Sequence, residues 1–340
     1  MSNRLSGPID PAPDAGWTTD RPRMGFFTDT SVCIGCKACE VACKEWNGVP
    51  EDGLEWLGSS YDNTGALGAS TWRHVAFIEQ AKPMLGLDPG FAGTAAGPSA
   101  TDELNRASGA ALSGERTLLG TTMAPVDLGI PRVELPGQAE GLQRSDFRWL
   151  MSSDVCKHCT HAACLDVCPT GALFRTEFGT VVVQDDVCNG CGYCVPACPY
   201  GVIDRREGDK GVPGVGGAQK CTLCYDRISG GQTPACAKAC PTESIQFGEL
   251  DELRERAAAR VAHLQEVGLH DARLYGHDPT DGVGGAGAFF LLLDEPEVYG
   301  LPPDPVVTTR DLPAMWKNMA VAAGTLLAGA VAAFAAGARR

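Results

Sequence analysis

Sixteen cysteines carry whatever chemistry this 340-residue chain performs, and they fall into four groups. Cys33, Cys36, Cys39 and Cys43 form C-x2-C-x2-C-x3-C, and Cys188, Cys191, Cys194 and Cys198 repeat that spacing before Pro199. Cys156, Cys159, Cys164 and Cys168 before Pro169, and Cys221, Cys224, Cys236 and Cys240 before Pro241, keep three plus one with a longer loop. Disulfides need partners distant in sequence and close in space, whereas Cys-x-x-Cys gathers thiolates around a compact inorganic centre. The bunching points to metal.

Zinc ribbons are the plain alternative, but a closed tetrahedral site has no use for three cysteines within seven residues and a fourth shortly after. That run is the one by which bacterial two-cluster ferredoxins hold cubane [4Fe–4S] clusters: three cysteines ligate one cluster and the fourth ligates its neighbour. Each motif is therefore incomplete alone. The short connection from Pro169 to Val187, with Thr180 to Val183 reading as a strand, pairs the second motif with the third and leaves the first to close on the fourth. Pairing first with second and third with fourth is the rival arrangement. The favoured pairing gives cluster 1 as Cys33, Cys36, Cys39 and Cys240, and cluster 2 as Cys156, Cys159, Cys164 and Cys198. Cluster 3 is then Cys188, Cys191, Cys194 and Cys168, and cluster 4 is Cys221, Cys224, Cys236 and Cys43. Proline after Cys168, Cys198 and Cys240 turns the chain away from helix, and Lys44 stands in that place in the first motif.

The elements that must position these cysteines are short, because 42 Gly and 23 Pro leave little room for long ones. The expected fold is α+β, two ferredoxin-like modules each with two [4Fe–4S] clusters, many loops and a C-terminal transmembrane helix. Residues 1–25 read as a flexible tail, 26–83 as the first part of an outer module and 84–145 as an irregular insertion rich in Gly, Ala, Pro and Ser. Residues 146–205 form the inner module, 206–310 the rest of the outer one, and 311–340 the membrane anchor. Within 206–310, Glu249 to Gln265 has its apolar residues at helical spacing and Ala286 to Leu293 reads as a buried strand.

Asn318 to Ala338 carries no ionisable side chain, and about 20 apolar residues suffice to cross a bilayer. Val321, Leu326, Leu327, Val331 and Phe334 together favour insertion by only about 2 kcal/mol, so a partner helix packed on the Ala and Gly face is expected. Arg339 and Arg340 outnumber Lys317, which turns the C-terminus toward the cytoplasm and the cluster domain outward. Met1 to Arg23 nevertheless shows no secretory signal and no twin-arginine pair.

Other features argue by exclusion. A net charge of −14 is unsuited to nucleic acid. Gly282, Gly284 and Gly287 spell G-x-G-x-x-G but open an apolar strand instead of a helix, so NAD is not expected. His158 and His161 read as exposed or hydrogen-bonded neighbours of a cluster, and His74, His263, His270 and His277 are scattered. Lys37, Lys157 and Lys220 adjoin cysteines, where a cation raises a cluster's potential unless it is simply solvated. No nucleophile with its base, phosphate loop or carboxylate constellation stands out, so no catalytic residue is assigned.

The four-motif pattern with CIGCKACEVACKEWN (Cys33 to Asn47), KCTLCYDR (Lys220 to Arg227) and PACAKACPT (Pro234 to Thr242) resembles the iron–sulfur subunits of molybdopterin oxidoreductases. YDNTGALGASTW (Tyr61 to Trp72), DGVGG (Asp281 to Gly285) and VYGLPPDP (Val298 to Pro305) narrow the resemblance to the beta subunit of respiratory formate dehydrogenases. The resemblance implies a molybdopterin alpha subunit that oxidises formate, a gamma subunit with haem b that passes electrons to quinone, the same pairing of motifs, and export with an alpha subunit bearing the signal. All sixteen positions being cysteine, it implies four [4Fe–4S] clusters and no three-iron centre. An iron–sulfur subunit of another molybdopterin oxidoreductase or of a hydrogenase, and a soluble ferredoxin-like carrier, are the alternatives.

Overall fold

The computed structural model describes residues 21–52, 61–81, 147–208 and 214–337. In chain order these form β1 (Met24–Asp29), α1 (Ala38–Asn47), β2 (Arg73–Ala81), β3 (Phe147–Val155), α2 (Ala163–Asp166), β4 (Leu173–Arg175), β5 (Val181–Val183) and α3 (Cys194–Ala197). There follow β6 (Asp204–Arg205), β7 (Ala218–Gln219), α4 (Tyr225–Ser229), α5 (Ala235–Lys238), β8 (Ile245–Glu249), α6 (Leu250–Glu266), β9 (Arg273–Tyr275), β10 (Ala288–Leu292) and α7 (Leu312–Gly337).

Compactness divides the chain into two units, residues 1–78 with 150–340, and residues 79–149. Of the latter only the ends of β2 and β3 are described, where Arg148 Nε donates to Gln80 Oε1 at 2.8 Å. The insertion expected over 84–145 and the terminal Arg339 and Arg340 lie outside the described residues. β1 begins at Met24, inside the span assigned to the N-terminal tail.

The main sheet has the order β8-β1-β10-β9, with β1 parallel to β10 and the outer pairs antiparallel. Alternation along the strands gives it two buried faces. Phe27, Phe289 and Leu291 meet Leu250, Leu253, Ala257 and Leu264 of α6, and Phe27 stacks on Phe289 at 5.3 Å. Phe26 and Ala288 on the other face join a core that contains Cys39, Cys156, Cys221 and Cys236. One face of the sheet thus holds the helix and the other backs the cysteines. Smaller pairs β2–β3, β4–β5 and β6–β7 complete the described strands.

The expected helix over Glu249 to Gln265 is realised one residue later, with Glu249 as its extended cap. The strand expected over Ala286 to Leu293 is shorter because the Ala286 N–H goes to Gly276 O and the Gly287 N–H to His158 O. α7 begins earlier than the apolar run. Its stretch Ala314–Gly337 is 24 residues, about 36 Å at helical rise, and none of its apolar window is buried within the chain.

Candidate metal centres

The residue just before the second cysteine of every motif lies in the left-handed region: Gly35 at φ 64°, His158 at 45°, Gly190 at 69° and Leu223 at 58°. Such a reversal curls the backbone so that successive N–H groups face one concavity, a nest suited to an anion. For His158 and Leu223 it costs about 1–2 kcal/mol, and full burial of both side chains holds them there. Gly190 is bound more tightly, since a Cβ there would lie 2.3 Å from Gly216 O. Gly190→Ala is expected to deform this loop and lower the iron retained by the third motif, read as iron per chain after anaerobic purification.

The third and fourth cysteines are four residues apart in every motif, one helical turn. α1 carries Cys39 and Cys43, whereas α2, α3 and α5 carry Cys164, Cys194 and Cys236 and end just before Cys168, Cys198 and Cys240. The longer loop of the fourth motif is taken up by α4. The helical turn after the third cysteine is what sets the fourth apart from the other three in each motif.

Cys156, Cys159 and Cys164 of the second motif line one cavity together with Cys198 of the third. Cys188, Cys191 and Cys194 line another with Cys168. In the outer pair, Asn47 Nδ2 lies 3.7 Å from Cys43 Sγ and 3.9 Å from Cys224 Sγ, joining the first motif to the fourth. Cys33 lies in the field of Cys39 and Cys240, and Cys221 in that of Cys43, Cys224 and Cys236. Among the described residues no trio of Cys, His, Asp or Glu side chains closes on a single metal ion.

Burial pushes the Cys43 and Cys164 thiols up to about 12 and that of Cys194 up to about 11, and neighbouring thiols add to the rise. Four crowded thiols in such surroundings do not ionise unaided. A positively charged iron core held by these cysteines would reverse this and favour the thiolates. Donors for sulfur are in place: the Ala218 N–H lies 3.4 Å from Cys188 Sγ, the Leu223 N–H 3.3 Å from Cys221 Sγ, and Ser153 Oγ 3.2 Å from Cys39 Sγ. At Cys168 partial burial is outweighed by the N–H groups of Leu173, Thr170 and Ala172 and the Thr170 hydroxyl, which hold its thiol below the ordinary range.

Lys157 and Lys220 are 1% and 2% exposed, which corrects the alternative of solvated side chains for both. Both line the Cys156 cavity. Lys157 pairs with Asp154 and donates to Val155 O at 3.0 Å, and Lys220 donates to the carbonyls of Val181 and Cys221. Lys37 stays nearer the surface, bridged to Asp62 at 3.0 Å and Glu40 at 3.3 Å. His158 and His161 are buried, not exposed. His158 Nδ1 accepts the Val181 N–H at 3.1 Å, which puts the proton on Nε2, an atom buried without a partner among the described residues. The same ring lines the Cys156 cavity, where a cluster sulfur would accept that proton's hydrogen bond. His74, read as scattered, sits 2.9 Å from Asp62. Arg73 escaped sequence reasoning altogether: a single charge in a strand gives no sign that it is buried among thiols.

Thiols brought together across motifs, N–H groups close to sulfur and buried cations fit a ferredoxin-type carrier of 4Fe–4S clusters. Two family models described as 4Fe-4S dicluster domain match the chain, at residues 32–172 and 147–250. The formate dehydrogenase iron-sulfur subunit of Haemophilus influenzae is 34% identical over 95% of this chain and 83% of its own length. The nitrate-inducible formate dehydrogenase iron-sulfur subunit of Escherichia coli K12 is 33% identical over 88% of this chain and 78% of its own. A subunit of the anaerobic dimethyl sulfoxide reductase of the same organism is 30% identical over 69% of this chain and 77% of its own. The chain belongs to the family of formate dehydrogenase iron–sulfur subunits, which transfer electrons and are not themselves catalytic.

Proposed function

We propose that this chain relays electrons through four [4Fe–4S] clusters from a molybdopterin formate dehydrogenase subunit to a membrane cytochrome b that reduces quinone. The ligands are Cys33, Cys36, Cys39 and Cys240 for cluster 1, and Cys156, Cys159, Cys164 and Cys198 for cluster 2. Cys188, Cys191, Cys194 and Cys168 hold cluster 3, and Cys221, Cys224, Cys236 and Cys43 hold cluster 4. Residues 146–205 are the inner module, and 26–83 with 206–310 the outer.

When bound, the clusters supply one-electron carriers. The side chains favour the order 1, 4, 2, 3. Clusters 1 and 4 adjoin through Cys39 and Cys236, 4 and 2 through Cys221 and Cys156, and 2 and 3 through Cys164 and Cys194. The carrying observation is that of all sixteen cysteines only Cys36 and Cys191 are exposed, one at each end of that series. The root of α7 lies on the inner pair of clusters: Val307 packs with Cys159 and Ala197, and Thr309 Oγ1 donates at 2.5 Å to Oδ2 of Asp166, which stands between Cys164 and Cys168. Cluster 3 then faces the membrane acceptor and cluster 1 the catalytic subunit. α7 crosses the membrane once, and the cationic Arg339 and Arg340 keep its end cytoplasmic and the clusters on the outer side.

Affinity purification of the tagged chain from membranes tests this. A large molybdopterin subunit that reduces a dye with formate is expected to come with it. A partner turning over dimethyl sulfoxide and inert to formate would replace this reading with one drawn from the dimethyl sulfoxide reductase relative.

A further inference from the structure

Arg73 opens β2 and is 1% exposed. Its Nη1 donates to Ser153 Oγ at 2.9 Å and Ser153 O at 3.3 Å, and its guanidinium lies 5.0 Å from the centre of the Phe26 ring. Nε and Nη2 are buried without a hydrogen-bond partner among the described residues, and no carboxylate there forms an ion pair with it. A buried, unpaired guanidinium costs several kcal/mol, and orphaned N–H groups add to that. The groups whose fields reach it are cysteines, which would be anionic once they ligate metal. The Phe26 ring it lies against shares one core with Cys39, Cys221 and Cys236, and the cysteines whose charge would bear on it most are Cys236, Cys39, Cys221 and Cys43. Cys39 belongs to the cluster 1 set and the other three to the cluster 4 set. Ser153 Oγ also bridges from Arg73 to Cys39 Sγ, 3.2 Å away.

We propose that Arg73 is the shared counter-cation of clusters 1 and 4, its Nε–H and Nη2–H groups donating to their sulfur atoms and making both easier to reduce. An added electron increases the negative charge of a thiolate-ligated cluster, so a fixed cation beside it favours the reduced state. One guanidinium at the seam of two clusters acts on both and leaves untouched cluster 2, whose cavity is lined by Lys157 and Lys220, and cluster 3. It is a positioning residue with an electrostatic role, and the inference rests on the four-cluster reading above.

The test is an EPR-monitored redox titration of the intact detergent-solubilised complex carrying Arg73→Gln or Arg73→Lys, with iron measured on each sample. In R73Q the reduced-to-oxidised ratio of two clusters at fixed ambient potential is expected to fall about tenfold, about 59 mV for a one-electron couple. The other two clusters should stay put. R73K keeps the charge and loses part of the donor fork, so it should hold full iron and show a smaller fall in the same two clusters. Unchanged potentials in R73Q at full iron, or an equal shift in all four clusters, would overturn the proposal. If R73Q loses iron, R73K decides, and iron loss or wild-type potentials there would overturn it. Wild-type iron reports on the clusters themselves, so a deficit there counts against the four-cluster reading and not against Arg73.

Discussion

Cys198→Ala is expected to unload the second motif and not its own. Cys198 ends the third motif, yet it lines a cavity with Cys156, Cys159 and Cys164. Loss of its thiolate leaves that cluster with three ligands in a site built for four, and iron per chain should fall by about a quarter. Alkylation followed by mass spectrometry should find Cys156, Cys159 and Cys164 newly reactive while Cys188, Cys191 and Cys194 stay protected. Newly reactive Cys221, Cys224 and Cys236 would favour the rival pairing of third with fourth motif. Formate-driven quinone reduction should be abolished, because the series 1, 4, 2, 3 is cut at an interior member. Formate-driven dye reduction at the catalytic subunit lies upstream and should persist.

Deleting Leu312–Gly337 is expected to move the chain from the membrane to the soluble fraction with its iron unchanged. The helix is exposed along its length, with Leu326 at 75% and Phe334 at 81%, and it contributes to none of the described core clusters. Its removal therefore creates no cavity. The segment's own preference for the bilayer is only about 2 kcal/mol, so stable attachment needs a second helix packed along its small residues. Loss of quinone reduction with retained dye reduction, read alongside fractionation of membranes, checks this. Membrane retention of the truncated chain at wild-type levels would show that the anchor lies elsewhere.

The cysteines were legible because their chemistry is encoded in spacing: Cys-x-x-Cys opens every motif and one helical turn closes it, whatever lies between. α6 and α7 were legible for a related reason, since Leu250, Leu253, Ala257 and Leu264 repeat at helical period and α7 carries no ionisable side chain after Lys317. The sheet was harder. β1 places Phe26 and Phe27 side by side, so neither a period of 2 nor one of 3.6 marks it, and its parallel partner β10 lies more than two hundred residues away. β2 and β3 flank the long insertion, and their pairing is a contact that no local pattern announces. Arg73 was hidden by the ordinary rule that charges face water, and the same rule left Lys220, named for its place beside Cys221, open to being solvated. Here that rule gives way: Lys220 is buried with its ammonium on the carbonyls of Val181 and Cys221, and Arg73 is buried with its guanidinium on Ser153. The left-handed backbone of His158 and Leu223 was equally silent, since only the glycines at the matching positions of the first and third motifs advertise it.

Counting iron and acid-labile sulfide on the anaerobically isolated, full-length chain in its complex bears most directly on the thiolate quartets. Four cubanes require about sixteen of each per chain, with EPR of the fully reduced protein integrating to about four spins. Zinc in place of iron, or about twelve irons with one motif's thiols free to alkylate, would contradict the assignment.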